Sequence, residues 1–471
     1  MEKVNYNRAF VVLTTLFFLW GFITVMNDIL ISTFKDLLTL SAFQAGLVQF
    51  AFFGAYFIIS IIYFLISTRE GQDPINKIGF KKGMVYSLII CGIGCMLFYP
   101  AAQLINYNLF LFALFVLASG VTLLQICANP YAAIMGSPET SSSRLNLAQG
   151  FNSLGTALGP LLGAILIYRV FSSGTASVEA VGTTYLLYGA VFWLAAVVVS
   201  LSKMPNFRNE EEIEAGGKVF NFPQLRLGIV AIFCYVGAEV AIGSYLIPLA
   251  EAPTIMGFSA ETASYYLSYY WGGAMIGRLM GAVSLNQNLK SEQRYLYMAL
   301  IGMGIFAFLY VVTSFKPNAN GVFEWNALSF SEVSLYLLYL GLNYIAFYVG
   351  RGKAALTLFV FSLVIILLLL ATTFAQGSFA FWSALSIGLF NSIMWSNIFT
   401  LAIKDLGKYT GQGSSLLIMA VVGGAFIPPL QGLLVDVVGV QLSYLLPLLC
   451  YVYLCYYGFK MNQLEKKISI I

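Results

Sequence analysis

Apolar residues fall in fourteen runs, at about 10–38, 43–66, 82–104, 107–135, 145–171, 182–203, 224–250, 259–285, 293–315, 332–350, 354–375, 378–403, 411–437 and 440–460. The breaks between them are polar or carry glycine and proline, which punctuate helices. A helix needs ~20 mostly apolar residues to cross a bilayer. The pattern therefore predicts an all-α polytopic membrane protein with fourteen crossings and both ends on one side. The basic residues orient it. With the N-terminus in the cytoplasm, twenty of the 24 lysines and arginines lie on the cytoplasmic side; Lys35, Arg169 and Lys316 lie outside, and Arg278 falls within a helix. Such an excess of positive charge is the mark of cytoplasmic loops.

Composition narrows the class. Of 471 residues, 59% are hydrophobic and 9% charged, where a soluble domain carries about 25% charged residues. The run after Lys3 and Arg8 is longer than the apolar region of a signal peptide and lacks a small-residue cleavage site, so it is expected to be retained. The net charge of +4 follows membrane topology and implies no nucleic-acid partner. No histidine occurs, which removes His-based zinc sites, nucleophile partners and proton relays. The six cysteines all lie in apolar runs without disulfide or metal-ligand spacing. No G-x-x-x-x-G-K-[ST] loop is present to drive transport with ATP. Neither an enzyme nor a cofactor or metal is implied.

The longest cytoplasmic break holds Glu210-Glu211-Glu212 and Gly216-Gly217 and reads as a solvated linker, residues 204–223, between a six-helix half (1–203) and a second half (224–471). Short matches relate the halves. Ser41-Ala42-x-x-Ala45 with Gly54 recurs 218 residues on as Ser259-Ala260-x-x-Ala263 with Gly272, and Pro160-Leu161-x-Gly163 recurs 269 residues on as Pro429-Leu430-x-Gly432. The offset grows by 51 residues, about two spans. This predicts a helix pair inserted in the second half, at about 332–375. Two repeated halves suit a secondary transporter with its substrate site near the midplane between them.

Polar groups inside spans are costly and mark cavities or relays. In the first run Thr24 and Asp28 are four apart on one face with Asn27 adjacent, and Asp28 near mid-span is the leading candidate to take up a coupling proton. Gln125 and Asn129 repeat that spacing before Pro130. Asn146, Gln149, Asn152, Ser153 and Thr156 form a polar stripe at helical spacing. Glu239 follows Tyr235 by four, Tyr270 and Arg278 are eight apart beside Tyr266 and Trp271, and Asn391, Trp395 and Asn397 share a late run. Amides both donate and accept, which suits a neutral ligand rich in hydroxyls; aromatic faces suit the C–H face of a sugar ring. The candidate substrate set is Asn27, Gln125, Asn129, Gln149, Asn152, Tyr266, Tyr270, Trp271, Asn391 and Trp395. Asp28 and Glu239 are the coupling candidates. Arg278 cannot lose its proton and is expected to fix a carboxylate or a helix end. Interhelical hydrogen bonding is the competing reading of the stripe, and bilayer packing that of either tryptophan alone. Gly155-x-x-x-Gly159-Pro160-x-x-Gly163 resembles a drug/proton antiporter motif, but a similar Gly424, Pro429, Gly432 pattern favours a packing and kinking device.

The stretches Trp20-Gly21 through Asn27-Asp28-Ile29-Leu30, Phe43 to Gln49, Ala128-Asn129-Pro130-Tyr131, Arg144 to Ser153, Phe233 to Ala238 and Gly413-Ser414-Ser415 resemble the fucose–galactose–glucose symporter family of the major facilitator superfamily. The resemblance covers both halves outside the inserted pair. It implies the major facilitator fold, a bacterial inner-membrane location, sugar/proton symport, proton coupling at Asp28 and sugar contacts from Gln149 and Asn152. Gln125 stands where the fucose members carry an acid, Glu239 where they carry glutamine, and Trp395 where they carry tyrosine, a pattern closer to the glucose/galactose members. The expected substrate is a hexose, glucose or galactose first, with fucose, mannose or N-acetylglucosamine as alternatives, Na⁺ as the alternative ion, and drug/proton antiport as the more distant reading.

Overall fold

The computed structural model describes residues 6–37, 42–171, 177–205, 207, 218–258, 260–317 and 323–468. The chain is helical almost throughout: α1 (Tyr6–Leu37), α2 (Ala42–Glu70), α3 (Pro74–Ile78), α4 (Phe80–Gln103), α5 (Tyr107–Ile134), α6 (Ser141–Ile165), α7 (Val178–Leu201), α8 (Pro223–Glu251), α9 (Ala260–Ser284), α10 (Ser291–Ser314), α11 (Phe330–Gly350), α12 (Ala354–Phe374), α13 (Gly377–Asn391), α14 (Met394–Ile403), α15 (Thr410–Met419), α16 (Gly423–Val438), α17 (Val440–Ser443) and α18 (Leu445–Ile468). A two-strand ribbon, β1 (Phe315–Pro317) and β2 (Phe323–Trp325), pairs antiparallel with Lys316 opposite Glu324.

Local signals start many of these helices. Asn106 accepts a hydrogen bond from the Leu109 N–H at 3.1 Å and Ser177 one from Ala180 at 3.0 Å, each satisfying a donor that the first turn leaves free. Asp73 caps α3 with Pro74 at its first position, where a missing N–H does no harm. A capping box, Ser329 with Glu332, opens α11.

Among the described residues twelve stretches are long and apolar enough to cross a membrane, with α13–α14 and α15–α16 each making one. The expectation of fourteen exceeds that count by two. α6 and α9 are 25 residues each, as long as their neighbours. They fall outside the twelve because the polar stripe of α6 and the tyrosines, serines and Arg278 of α9 dilute their apolar windows.

The chain forms two compact units. One comprises 1–141, 151–229 and 402–425; the other comprises 142–150, 230–401 and 426–471. In the first, α4 packs along α5 and α7. Small residues permit the contact: a Cβ on Gly120 would stand 2.6 Å from the Cys91 nitrogen, so the backbones approach as only glycine allows. The paired Gly155 and Gly159 of α6 serve the same purpose against α1, where a Cβ on Gly155 would overlap the Phe18 carbonyl. The packing reading of that motif holds. In the second unit α12 packs along α13 and α18, and α9 along α13. Thus α12, α13 and α18 repeat the arrangement of α4, α5 and α7.

Candidate functional site

Each unit carries its own buried polar cluster. In the first, the Tyr56 side chain, 3% exposed, is surrounded by Trp20, Thr24 and Gln125. Gln125 is fully enclosed, and its amide nitrogen has no hydrogen-bond partner among the described residues. Thr24 spends its hydroxyl on the Trp20 carbonyl at 2.8 Å. Asn129 is buried one turn beyond Gln125. Asn152 donates to the Phe17 carbonyl at 3.1 Å and Thr156 to the Asn152 carbonyl at 3.1 Å, so this part of the stripe ties α6 to α1. The backbone of Asn27 and Asp28 continues α1 one turn past Thr24; their side chains lie outside the described residues.

Pro130 interrupts the hydrogen bonding of α5, because it has no N–H for the Ile126 carbonyl four residues back. The Ser414 hydroxyl of α15 supplies the missing donor, at 3.1 Å. The start of the segment bearing Ser414 packs directly against Asp73, which is 1% exposed. Its Oδ1 accepts from the Tyr63 hydroxyl and, at 2.9 Å, from the Ile75 N–H. Its Oδ2 lies so close to Gly411 that any Cβ there would overlap it. Burial pushes this carboxyl up to about 6, against hydrogen bonds from Tyr63 and from backbone amides that favour its charge.

The second cluster is built around a broken helix. The run expected as one helix at 378–403 is two, α13 and α14, separated by Ser392 and Ile393. Backbone freed at membrane depth needs internal partners. The Leu389 carbonyl receives two donors, Asn343 Nδ2 of α11 at 3.0 Å and the Ser392 hydroxyl at 2.7 Å. Just before the break a hydrogen-bonded chain begins. Tyr451 of α18 donates to Asn391 Oδ1, Asn391 donates to the Tyr270 hydroxyl at 2.9 Å, and Tyr270 donates to the Glu239 carbonyl at 2.9 Å. Asn391 and Tyr270 are thereby occupied in holding α8, α9, α13 and α18 together. The Glu239 side chain is 9% exposed, faces Arg278 and Tyr235, and leaves Oε1 without a hydrogen bond among the described residues. Trp395 is buried beyond the break and stacks on Phe399 at 6.1 Å, and its indole N–H has no hydrogen-bond partner among the described residues.

The remaining candidates separate. Gln149 is 3% exposed. Its neighbour Asn146 donates to Asn397 Oδ1 at 3.2 Å and to the Ser142 carbonyl at 2.8 Å. Trp271 is 41% exposed and edges onto Tyr270. Tyr266 stands apart, stacked on Phe258 among Phe381 and Trp382 with its hydroxyl on Glu332 at 3.5 Å. Tyr56, Tyr451, Asn343 and Asp73 escaped the sequence reading. Tyrosine is too common here, at 29 residues, to single out two, whereas the Asp73-Pro74 cap was a readable signal. Among the described residues no three His, Cys, Asp or Glu side chains converge as a metal site would require.

The chain matches the Major Facilitator Superfamily over residues 9–349. It is 40% identical to a glucose/galactose transporter of Brucella abortus over 97% of this chain and 95% of that protein. It is 29% identical to the L-fucose-proton symporter of Escherichia coli over 96% of this chain and 92% of that one. The crystal structure of the Escherichia coli fucose:proton symporter superposes with a TM-score of 0.71 at 27% identity, covering 97% of this chain and 99% of that chain.

Proposed function

Because the chain belongs to the major facilitator superfamily, we propose that it is a proton-coupled hexose transporter of the glucose/galactose type, working by alternating access in the bacterial inner membrane. The observation that carries this reading is the 40% identity, over 97% of the chain, to a protein named as a glucose/galactose transporter. The two polar clusters support it chemically. Among the described residues the Gln125 amide nitrogen and the Trp395 indole N–H have no hydrogen-bond partner, and amides such as Gln125, Asn129 and Gln149 are the kind of neutral group that sugar hydroxyls need. Asn391 and Tyr270 position helices and do not themselves bind sugar.

Asp28 is the coupling acid in this proposal: protonated together with sugar binding, it permits the change of access. Glu239, which faces Arg278 and Tyr235, is the second coupling candidate. α6 and α9 cross the membrane as well, completing fourteen crossings in two repeated halves with both termini and the 204–223 linker cytoplasmic. The additional pair is α10–α11, one helix earlier than the 332–375 expected, since α12 takes the place in its triplet that α4 takes in the other.

Purified protein in liposomes whose interior is alkaline should accumulate labelled glucose or galactose, and a protonophore should abolish the accumulation. Accumulation of fucose alone, or accumulation driven by a Na⁺ gradient alone, overturns the proposal. Asp28→Asn imitates the protonated acid and should exchange sugar across the membrane without accumulating it. Continued accumulation by that variant would move coupling to Glu239.

A further inference from the structure

At one end of α10, α11 and α12 lies a groove of about 370 Å³ lined by Tyr295, Tyr348, Val349, Arg351 and Leu356. The spans Ser291–Ser314, Phe330–Gly350 and Ala354–Phe374 all begin or end here, which sets residues 290 and 351–353 at headgroup depth. Its walls are aromatic and aliphatic. Tyr295 and Tyr348 meet at 5.2 Å, and the Tyr344 hydroxyl holds the Tyr295 carbonyl at 3.2 Å. Tyr348 and Val349 are 58% and 46% exposed, and only 22% of the α10 window is buried, so this face is turned outward.

The charges are one-sided. Lys290, Arg294, Arg351 and Lys353 cluster around these helix ends against a single acid, Glu292. Arg294 is turned inward, donating to the Leu289 carbonyl at 3.2 Å beneath the Gly352 turn. The exposed Arg351 guanidinium makes no hydrogen bond or ion pair with any described residue. Arg351 also sits in the left-handed region, φ 51° and ψ 30°, at the C-cap of α11. Glycine or asparagine fills that position at little cost, whereas arginine is strained there. Its side chain is what an arginine adds.

We propose that this groove binds an anionic phospholipid, with Arg351 and Lys353 on the phosphate and Tyr295, Tyr348 and Leu356 along the glycerol and first acyl carbons. A guanidinium forks onto two phosphate oxygens, and a basic pocket between spanning helices is the surface such a headgroup fits. The proposal does not rest on what the protein transports.

The test is the thermal midpoint of the full-length protein in mild detergent, with dioleoyl-phosphatidylglycerol, dioleoyl-phosphatidylcholine or inorganic phosphate added. Phosphatidylglycerol should raise the midpoint several degrees more than the other two. Arg351→Gly combined with Lys353→Ala should lose at least half of that increment, while Arg351→Gly alone keeps or raises the midpoint in phosphatidylcholine, because glycine relaxes the backbone. Lys82→Ala, an exposed basic residue elsewhere, should keep the full increment. Equal increments from phosphatidylcholine or inorganic phosphate overturn the proposal, and so does an undiminished increment in the double variant.

Discussion

Two helices that hold the same place in their triplets, α5 and α13–α14, are both interrupted, and they handle the interruption differently. In α5 the helix runs on through Pro130, and the single carbonyl it orphans, that of Ile126, is capped by Ser414. In α13–α14 the helix stops at Asn391 and restarts at Met394, and the Leu389 carbonyl takes donors from Asn343 and Ser392. The first cap comes from a segment whose start packs against a buried carboxyl, Asp73. The second comes from a buried amide of α11 and a serine hydroxyl of the break itself, neither of them ionisable. A helix defect at membrane depth is thus not a weakness in itself; its cost depends on who supplies the missing donor. Here one supplier lies on a segment packed against a titratable carboxyl and the other does not.

The difference can be pressed first through pH. The Asp73 carboxyl titrates near 6 when folded and near 3.8 in the open chain. Below about pH 4 both states are protonated and the contribution to stability is complete. As pH rises towards 7 the unfolded chain ionises first, and stability should fall by up to about 3 kcal/mol. Thermal unfolding in detergent across pH 4–7 should show this fall in the wild type and a flatter profile in Asp73→Asn. A profile as steep in the variant would mean that another acid carries the pH dependence. The second-unit cap should be indifferent to the same pH change.

Asn343→Leu removes one of the two donors on the Leu389 carbonyl and should destabilise by about 1–3 kcal/mol, read as a lower thermal midpoint. Because the break neighbours Asn391 and Trp395, it should also raise the half-saturation concentration for sugar. A variant as stable and as avid as the parent would show that Ser392 suffices.

The smallest effect is the most diagnostic. Ser414→Ala should cost about 1 kcal/mol, since it leaves one buried carbonyl unpaired. In a Pro130→Ala background the helix regains its own N–H, and the cost of Ser414→Ala should vanish. Additive losses in the double variant would mean that the Ser414 bond is independent of the proline.

How much of this could be read beforehand is best judged residue by residue. The helical class, most of the spans and the loops between them follow from apolar runs, because bilayer thickness imposes a length that composition alone reveals. The polar inventory was also legible: Gln125, Asn129, Gln149, Asn152, Glu239, Asn391 and Trp395 are all buried, since a polar group has no comfortable place on a lipid-facing surface. The paired glycines of α6 announced close packing, and the wall they pack against was identified only in the fold. What eluded the pattern was the division of labour among polar residues. Asn391 and Gln125 are both buried amides in spans, but Asn391 is spent on Tyr270 and Tyr451 while the Gln125 amide nitrogen has no hydrogen-bond partner among the described residues. Hydrogen-bond partners come from residues sixty to three hundred positions away, a separation no local periodicity records. Spans, buried polar residues and glycine seams are therefore properties of the sequence itself, set by the hydrophobic thickness of the membrane and the cost of exposing polar groups to it. The break at Ser392, its cap from Asn343 and the packing of α15 against Asp73 belong to the tertiary structure, because only folding decides which donor meets which orphaned carbonyl.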